Sequence, residues 1–323
     1  MEVTPFDMRL SLLIEGQEGV RWDDWLRVAR LTEEHGLDGL YRSDHYTAIL
    51  RSRAGALDAW TTLAALAALT DRIRLGTLVS PITFRHPSVL ARSAVTVDHI
   101  SGGRVDVGLG LGWYEREHVE NGFPFGTARE RFALLTEHVE VIVRSWTEDR
   151  FDHHGDQYAL RGQLALPRPR QKPHPPLILG GSVKPRFAAL AAQYASEVNT
   201  LGYSRNVLRG RKESLDRACA AIGRDPGSLA FSTLITCFLG ENRREADERT
   251  RAYISSGGGD RVFAKMLEAT RRSWLVGSVD EVAERIRGLQ ALGVNRVVVR
   301  HLNHHDDDMI GLVGLGLAPR LTG

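Results

Sequence analysis

The sequence predicts an α/β fold, a (β/α)8 TIM barrel with insertions, occupying residues 1–323 as one domain. Three observations carry that prediction. Strand and helix patterns alternate eight times along the chain. Residues 72–114 show one such unit clearly, as strand, helix and strand. The strand segments are near-continuous apolar runs, as expected of parallel strands covered on both faces.

A first strand spans residues 8–14, and Asp23 or Asp24 caps a helix carrying Trp25, Leu26, Val28, Ala29 and Leu31 to His35-Gly36. The second strand, 37–42, ends at Ser43-Asp44-His45, followed by a polar loop, 51–56, and an Ala/Leu-rich helix, 57–69. The third strand, 73–79, is ended by Ser80 and Pro81, and Pro87 opens a helix through Val89, Leu90, Ala94, Val97 and Ile100. The fourth strand, 105–109, runs into Gly108, Gly110 and Gly112, and a long arm over 113–125 precedes a helix over 129–146. An insertion at about 150–176 follows: 151–166 is irregular or a hairpin, and 167–176, with five prolines, is an extended crossing. The fifth strand, 177–179, closes at Gly180-Gly181-Ser182 ahead of a helix from Pro185, and the sixth is 197–201. A helix over 206–222, a seventh strand over 228–239, a charged helix over 243–253 and a flexible hinge at 255–259 come next. An amphipathic helix over 279–292 and an eighth strand over 296–300 complete the pattern.

The chain is 42% hydrophobic and 25% charged, enough for a large core under an ordinary polar surface. A net charge of +2 without basic runs argues against nucleic acid as a partner. With no apolar stretch of membrane-spanning length and no signal-peptide pattern, no membrane association and a cytoplasmic location are expected. Cys219 and Cys237 are isolated and read as core residues. His301, His304, His305 and Asp306-Asp307-Asp308 are the most metal-like cluster, but such a run is usually a solvated tail, so no metal site is expected there or at His153-His154. His86, His99 and His118 read as packing or surface residues.

Gly108-Leu109-Gly110-Leu111-Gly112 is not a dinucleotide loop, because Trp113 stands where the third glycine of G-x-G-x-x-G belongs. Alternate glycines along a strand mean instead that something flat or bulky lies against the backbone. The strings GTLVSPITFRHPSVLA and SGGRVDVGLGLGW, with Glu117, Phe123, Phe125, Glu130-Arg131 and Trp146, resemble the luciferase-like monooxygenase superfamily, nearest to its actinobacterial branch of F420-dependent oxidoreductases. The resemblance covers nearly the whole chain.

Barrel enzymes build their sites at the C-terminal ends of the strands. That rule selects Ser43-Asp44-His45, Leu78-Val79-Ser80, residues 108–113, Gly180-Gly181-Ser182, Asn199-Thr200 and Arg300-His301. Asp44 with His45 is an acid–base candidate, since a histidine beside a carboxylate moves protons near neutral pH. Gly180, Gly181 and Ser182, ahead of a helix N-terminus, are a phosphate candidate, with Lys184 and Arg186 close by. By resemblance, this loop holds the ribityl-tail phosphate of coenzyme F420 or, alternatively, of FMN. Asp44 then contacts the ring and His45 faces the reacting carbon. Leu78-Val79, with Ser80, is the place of a bulge with a non-proline cis peptide behind the ring, and Gly110, Gly112 and Tyr114 border it. Tyr114 stands where relatives often have asparagine. Relatives often carry an aspartate in the sixth strand, where this chain has Ser196. Asn199 is the remaining candidate there.

The resemblance implies an oxidoreductase transferring a hydride between F420 and a small substrate, apolar or aromatic given Trp113, Phe123 and Phe125. A homodimer is implied too. One alternative is an FMN monooxygenase using O2 and a separate flavin reductase as partner; others are a non-catalytic flavin-binding protein and a metal-dependent barrel hydrolase.

Overall fold

A computed structural model describes residues 8–50, 54–256 and 273–321 of the 323-residue chain. The elements run β1 (Arg9–Ile14), α1 (Trp22–Glu34), β2 (Gly39–Arg42), α2 (Ala59–Ala68), β3 (Arg74–Pro81), α3 (Pro87–Ile100) and β4 (Val105–Gly110). Then come α4 (Glu115–Asn121), α5 (Ala128–Thr147), β5 (Arg150–His154), β6 (Ala159–Leu164), β7 (Leu177–Gly180), α6 (Pro185–Tyr194), β8 (Glu197–Leu201) and α7 (Arg205–Ala221). The chain continues with β9 (Ala230–Gly240), α8 (Arg243–Ser255), β10 (Leu275–Ser278), α9 (Val279–Gln290), β11 (Arg296–His301) and α10 (Asp307–Gly311).

Eight parallel strands close a barrel in the order β1-β2-β3-β4-β7-β8-β9-β11, with β11 pairing back onto β1. The helices cover its outside, and their apolar faces meet the outward strand residues in the main core, which includes Trp25, Leu63, Leu109, Leu135, Ile142 and Trp146. The interior is filled in layers. Near the N-terminal ends it is ionic: Arg296 pairs with Glu197 (3.0 Å), Arg74 with Asp106, and the Tyr41 hydroxyl donates to Asp106. Above this lie Leu13, Leu78, Ile178, Leu234 and Val298. Nearer the mouth, Arg300 Nε donates to Thr236 Oγ1 (2.8 Å) and its guanidinium faces Glu15 at 3.6 Å.

Several boundaries differ from the sequence pattern for local reasons. Asp24 is not the cap of α1 but its third residue, reaching back to accept from the Arg21 N–H (3.1 Å). Asp58 caps α2, accepting from Thr61 N–H at 2.9 Å. Strand β3 does not end at Val79; it runs on to Pro81 through a shift in register against β4 between Thr77 and Ser80. The arm after Trp113 contains the short helix α4. The insertion is an antiparallel hairpin, β5–β6. Strand β10 was not anticipated, and extends β9 beyond the closed ring. The polar loop at 51–56 and the hinge at 255–259 lie partly outside the described residues.

The bulge explains the glycines. A Cβ on Gly110 would stand 2.5 Å from Val79 Cγ2, and one on Gly180 2.6 Å from Val79 Cγ1. The bulky neighbour is therefore the protein's own Val79, laid across β4 and β7. The Leu78–Val79 peptide is cis.

Candidate active site at the barrel mouth

Because all eight strands are parallel, their C-terminal ends share one face, and the sequence-selected residues after β2, β3, β4, β7 and β8 meet there. Asp44 is buried and held from two sides. Ser80 Oγ donates to Oδ2 (2.6 Å), and Arg85 reaches the same oxygen at 2.5 Å. Trp60 Nε1 in turn donates to Ser80 Oγ (3.1 Å). Arg85 also pairs with Asp58 (2.6 Å) and donates to the Tyr46 hydroxyl (2.9 Å). Burial opposes charge on Asp58, but the Thr61 N–H and Arg85 outweigh it and hold its carboxyl down at about 2. Burial, with Asp44 and Asp58 close by, pushes the Tyr46 phenol up to about 12.

His45 does not bond the adjacent Asp44. Its Nδ1 lies 2.7 Å from Oε2 of Glu117, a fully buried carboxylate on α4. The other Glu117 oxygen accepts the Tyr46 and Thr47 N–H groups, the latter at 2.9 Å. Burial disfavours the imidazolium, yet the Glu117 contact and its charge prevail and raise the His45 pKa above that of an ordinary histidine. With Nδ1 engaged, Nε2 is the nitrogen left for exchange with a ligand. Trp113 stands edge-on to the His45 ring, centroids 6.1 Å apart, and is 60% exposed. Tyr46, Phe84 and Phe123 form an aromatic wall, with the two phenylalanines stacked at 4.8 Å.

At the β7 end, the Gly181 N–H is committed to the Asn199 carbonyl (3.1 Å), and Asn199 Nδ2 donates to Ser232 Oγ (2.7 Å) from a buried position. Ser182, Lys184 and Arg186 are exposed, and α6 starts at Pro185 with no side-chain cap. The first-turn amides of Arg186 and Phe187, the Ser182 hydroxyl and two cationic side chains suit a phosphate group. Gly112 takes a left-handed turn (φ 73°) and Tyr114 stands at the N-cap of α4, its ring against Trp113.

Glu117 and Arg85 belong to the strings that carry the family resemblance, yet neither they nor Asp58 sit at a strand end, so the strand-end rule does not select them as site residues. The remaining histidines are spread over structural tasks: His118 meets Thr83 Oγ1 at 2.7 Å, His86 caps α3, and His99 faces the Arg168 carbonyl. His301 turns to the Asp306 carbonyl, with burial pulling its pKa down to about 4, while His304 and His305 lie against Asp24. Cys219 and Cys237 are buried free thiols, and burial pushes Cys237 up to about 12. Among the described residues, no helix is long and apolar enough to cross a membrane.

Known proteins share this architecture. An uncharacterised protein of Mycobacterium tuberculosis (strain H37Rv) is 34% identical over 171 residues, 48% of this chain; the chain spans 59% of that relative's length. An F420-dependent glucose-6-phosphate dehydrogenase of Kineococcus radiotolerans is 30% identical, covering 82% of this chain and 83% of that one. An FMNH(2)-dependent dimethylsulfone monooxygenase of Pseudomonas putida is 24% identical over 90% of this chain and 86% of its own. The crystal structure of monooxygenase RslO1 from Streptomyces bottropensis superposes with a TM-score of 0.82 at 24% identity, over 97% of this chain and 99% of that one. Residues 8–296 match the family described as Luciferase-like monooxygenase. With a family match over most of its length and the same closed barrel, the chain belongs to the luciferase-like monooxygenase family.

Proposed function

We propose that this protein is an oxidoreductase that binds coenzyme F420 at the barrel mouth and exchanges a hydride with a small apolar or aromatic substrate. The observation that carries the reading is the His45–Glu117 pair at the mouth, a histidine whose protonated form is favoured by a buried carboxylate. The likeness to an F420-dependent dehydrogenase over 82% of the chain supports the choice of cofactor. The donor set fits such a ligand: Ser182, Lys184, Arg186 and the open α6 N-terminus would hold its phosphate, and the shelf of Leu78, Val79 and Gly110 would carry its ring. When bound, F420 supplies a carbon that gives or takes a hydride.

The chain's own tasks are positioning, exclusion of water and proton handling. Arg85 and Ser80 fix the Asp44 carboxylate in one orientation. Tyr46, Phe84 and Phe123 form an aromatic wall and Trp113 stands edge-on to His45, surfaces that suit an apolar substrate. Glu117 fixes the His45 ring through Nδ1, so that Nε2 gives a proton to the substrate or takes one from it.

The likeness to an FMNH(2)-dependent monooxygenase supports a second reading, in which reduced FMN from a partner reductase occupies the same shelf. Titrating the purified protein with oxidised F420 and separately with FMN, followed by fluorescence quenching, separates them. Tight F420 and weak FMN binding is expected; the reverse would establish the second reading, and binding of neither would refute both.

A further inference from the structure

Helix α1 and the loop after β11 meet on the mouth side of the barrel, across the β1–β11 seam. Arg27 fastens them together: Nη2 donates to the His304 carbonyl (2.8 Å) and Nε to Asp307 Oδ1 (3.0 Å). In this junction Asp24 faces two imidazoles. His304 Nε2 lies 3.8 Å from Asp24 Oδ2, and His305 Nδ1 lies 3.6 Å from Oδ1. Three donor atoms, one from each residue, lie within 4.8 Å of one another. His304 is only 8% exposed, and its Nε2 is a buried atom that completes no hydrogen bond. A buried imidazole nitrogen aimed at a carboxylate beyond hydrogen-bond reach leaves room for something between them.

We propose that Asp24, His304 and His305 bind a divalent transition-metal ion of the zinc class. Ligand atoms about 2.0–2.2 Å from one ion stand roughly 3–4 Å apart; each imidazole already lies at 3.6–3.8 Å from a carboxylate oxygen, and a small rotation of the exposed His305 ring closes the set. Two imidazoles and one carboxylate select zinc, nickel or cobalt over magnesium and calcium, which prefer all-oxygen sets. The buried His304 Nε2, which completes no hydrogen bond, offers its lone pair to the ion. The Asp24 carboxylate accepts from the Arg21 N–H and from Arg27. Those two donors occupy one lone pair on each oxygen, Arg27 Nη1 at 2.9 Å on Oδ1 and Arg21 at 3.1 Å on Oδ2, and leave the others open. The Arg27 charge, which would repel a cation, is also shared with Asp307. His305, largely exposed, leaves a coordination position open to water. The ion is a staple, tying the first βα unit to the last across the seam.

The test uses the full chain without an affinity tag, stripped with EDTA and dialysed, then titrated with ZnCl2 by calorimetry and with CoCl2 by visible absorption. One equivalent should bind in the micromolar range or tighter, cobalt should give the visible bands of a low-coordinate nitrogen–oxygen site, and zinc should raise the melting temperature. His305→Ala removes an exposed ring and leaves the fold intact; it should weaken binding at least ~10-fold. His304→Gln should abolish binding while circular dichroism stays unchanged, and should it fail to fold, His305→Ala alone decides. Absence of saturable zinc binding at submillimolar metal, or binding that survives the histidine substitutions, overturns the proposal.

Discussion

Glu117→Gln isolates the device that sets the protonation of His45. In the wild type, Glu117 Oε2 accepts from Nδ1 at 2.7 Å while Oε1 holds the Tyr46 and Thr47 N–H groups. Glutamine keeps an oxygen for the two backbone donors, so its NH2 group must face Nδ1. Nδ1 then accepts a hydrogen bond from that NH2 group, which favours the neutral ring. A buried, charge-assisted hydrogen bond contributes about 1.5–3 kcal/mol. At about 1.4 kcal/mol per pKa unit, its loss should lower the His45 pKa by roughly 1–2 units. Burial, already opposing the imidazolium, then acts unchecked. The sign for stability follows. A pKa raised on folding stabilises the protein below the unfolded value, near 6.5, and that increment fades as pH climbs through the folded pKa. The variant should lack this pH-dependent increment. The assay is an NMR titration of Cε1–H in 13C-histidine-labelled protein, assigned with His45→Ala, alongside denaturant midpoints at several pH values. A His45 pKa that stays above the ordinary value in Glu117→Gln would refute the reasoning.

Other substitutions probe the remaining parts. His45→Ala should cut turnover by about 10²–10⁴-fold with cofactor affinity retained, measured by F420 absorbance under saturating substrate; unchanged turnover removes the proton role. Gly110→Ala places a methyl against Val79, a branched side chain fixed in the bulge, and should cost about 1–3 kcal/mol in urea unfolding together with weaker F420 binding. Arg296→Met takes from the buried Glu197 its 3.0 Å partner and leaves it Arg9 at 3.6 Å, while Asp106 keeps Arg74; the loss should cost about 3–5 kcal/mol, read from the same unfolding curves, and a neutral result would mean that the ionic layer is not coupled as the distances indicate.

Much of the fold was legible because parallel strands buried on both faces leave apolar runs that pattern reading finds. Short strands were harder: β10 offers only four residues, Leu275 to Ser278. Asp44 and His45 were legible as polar residues stopping an apolar strand. Their partners were not, since Glu117 comes from α4, 72 positions on, and Arg85 from beyond the β3 bulge. The alternate glycines mark close approach to the strand: at Gly110 the neighbour is Val79, at Gly108 it is the Thr77 carbonyl, and Gly112 makes a left-handed turn. Likewise the C-terminal histidines looked like a solvated tail until Asp24, some 280 positions earlier, appeared beside them.

The layered filling of the barrel has a kinetic consequence. Among the described residues, an ionic layer at one end and an apolar plug above it fill the barrel beneath the mouth. Two molecules that meet there must pass the same doorway in turn, and the deeper one arrives first and departs last. Under the proposed function the expected pattern is ordered sequential kinetics, with the cofactor leading. Substrate then finds its place only on a mouth that the cofactor has already narrowed, so a substrate analogue should bind measurably to the loaded protein and far more weakly to the empty one.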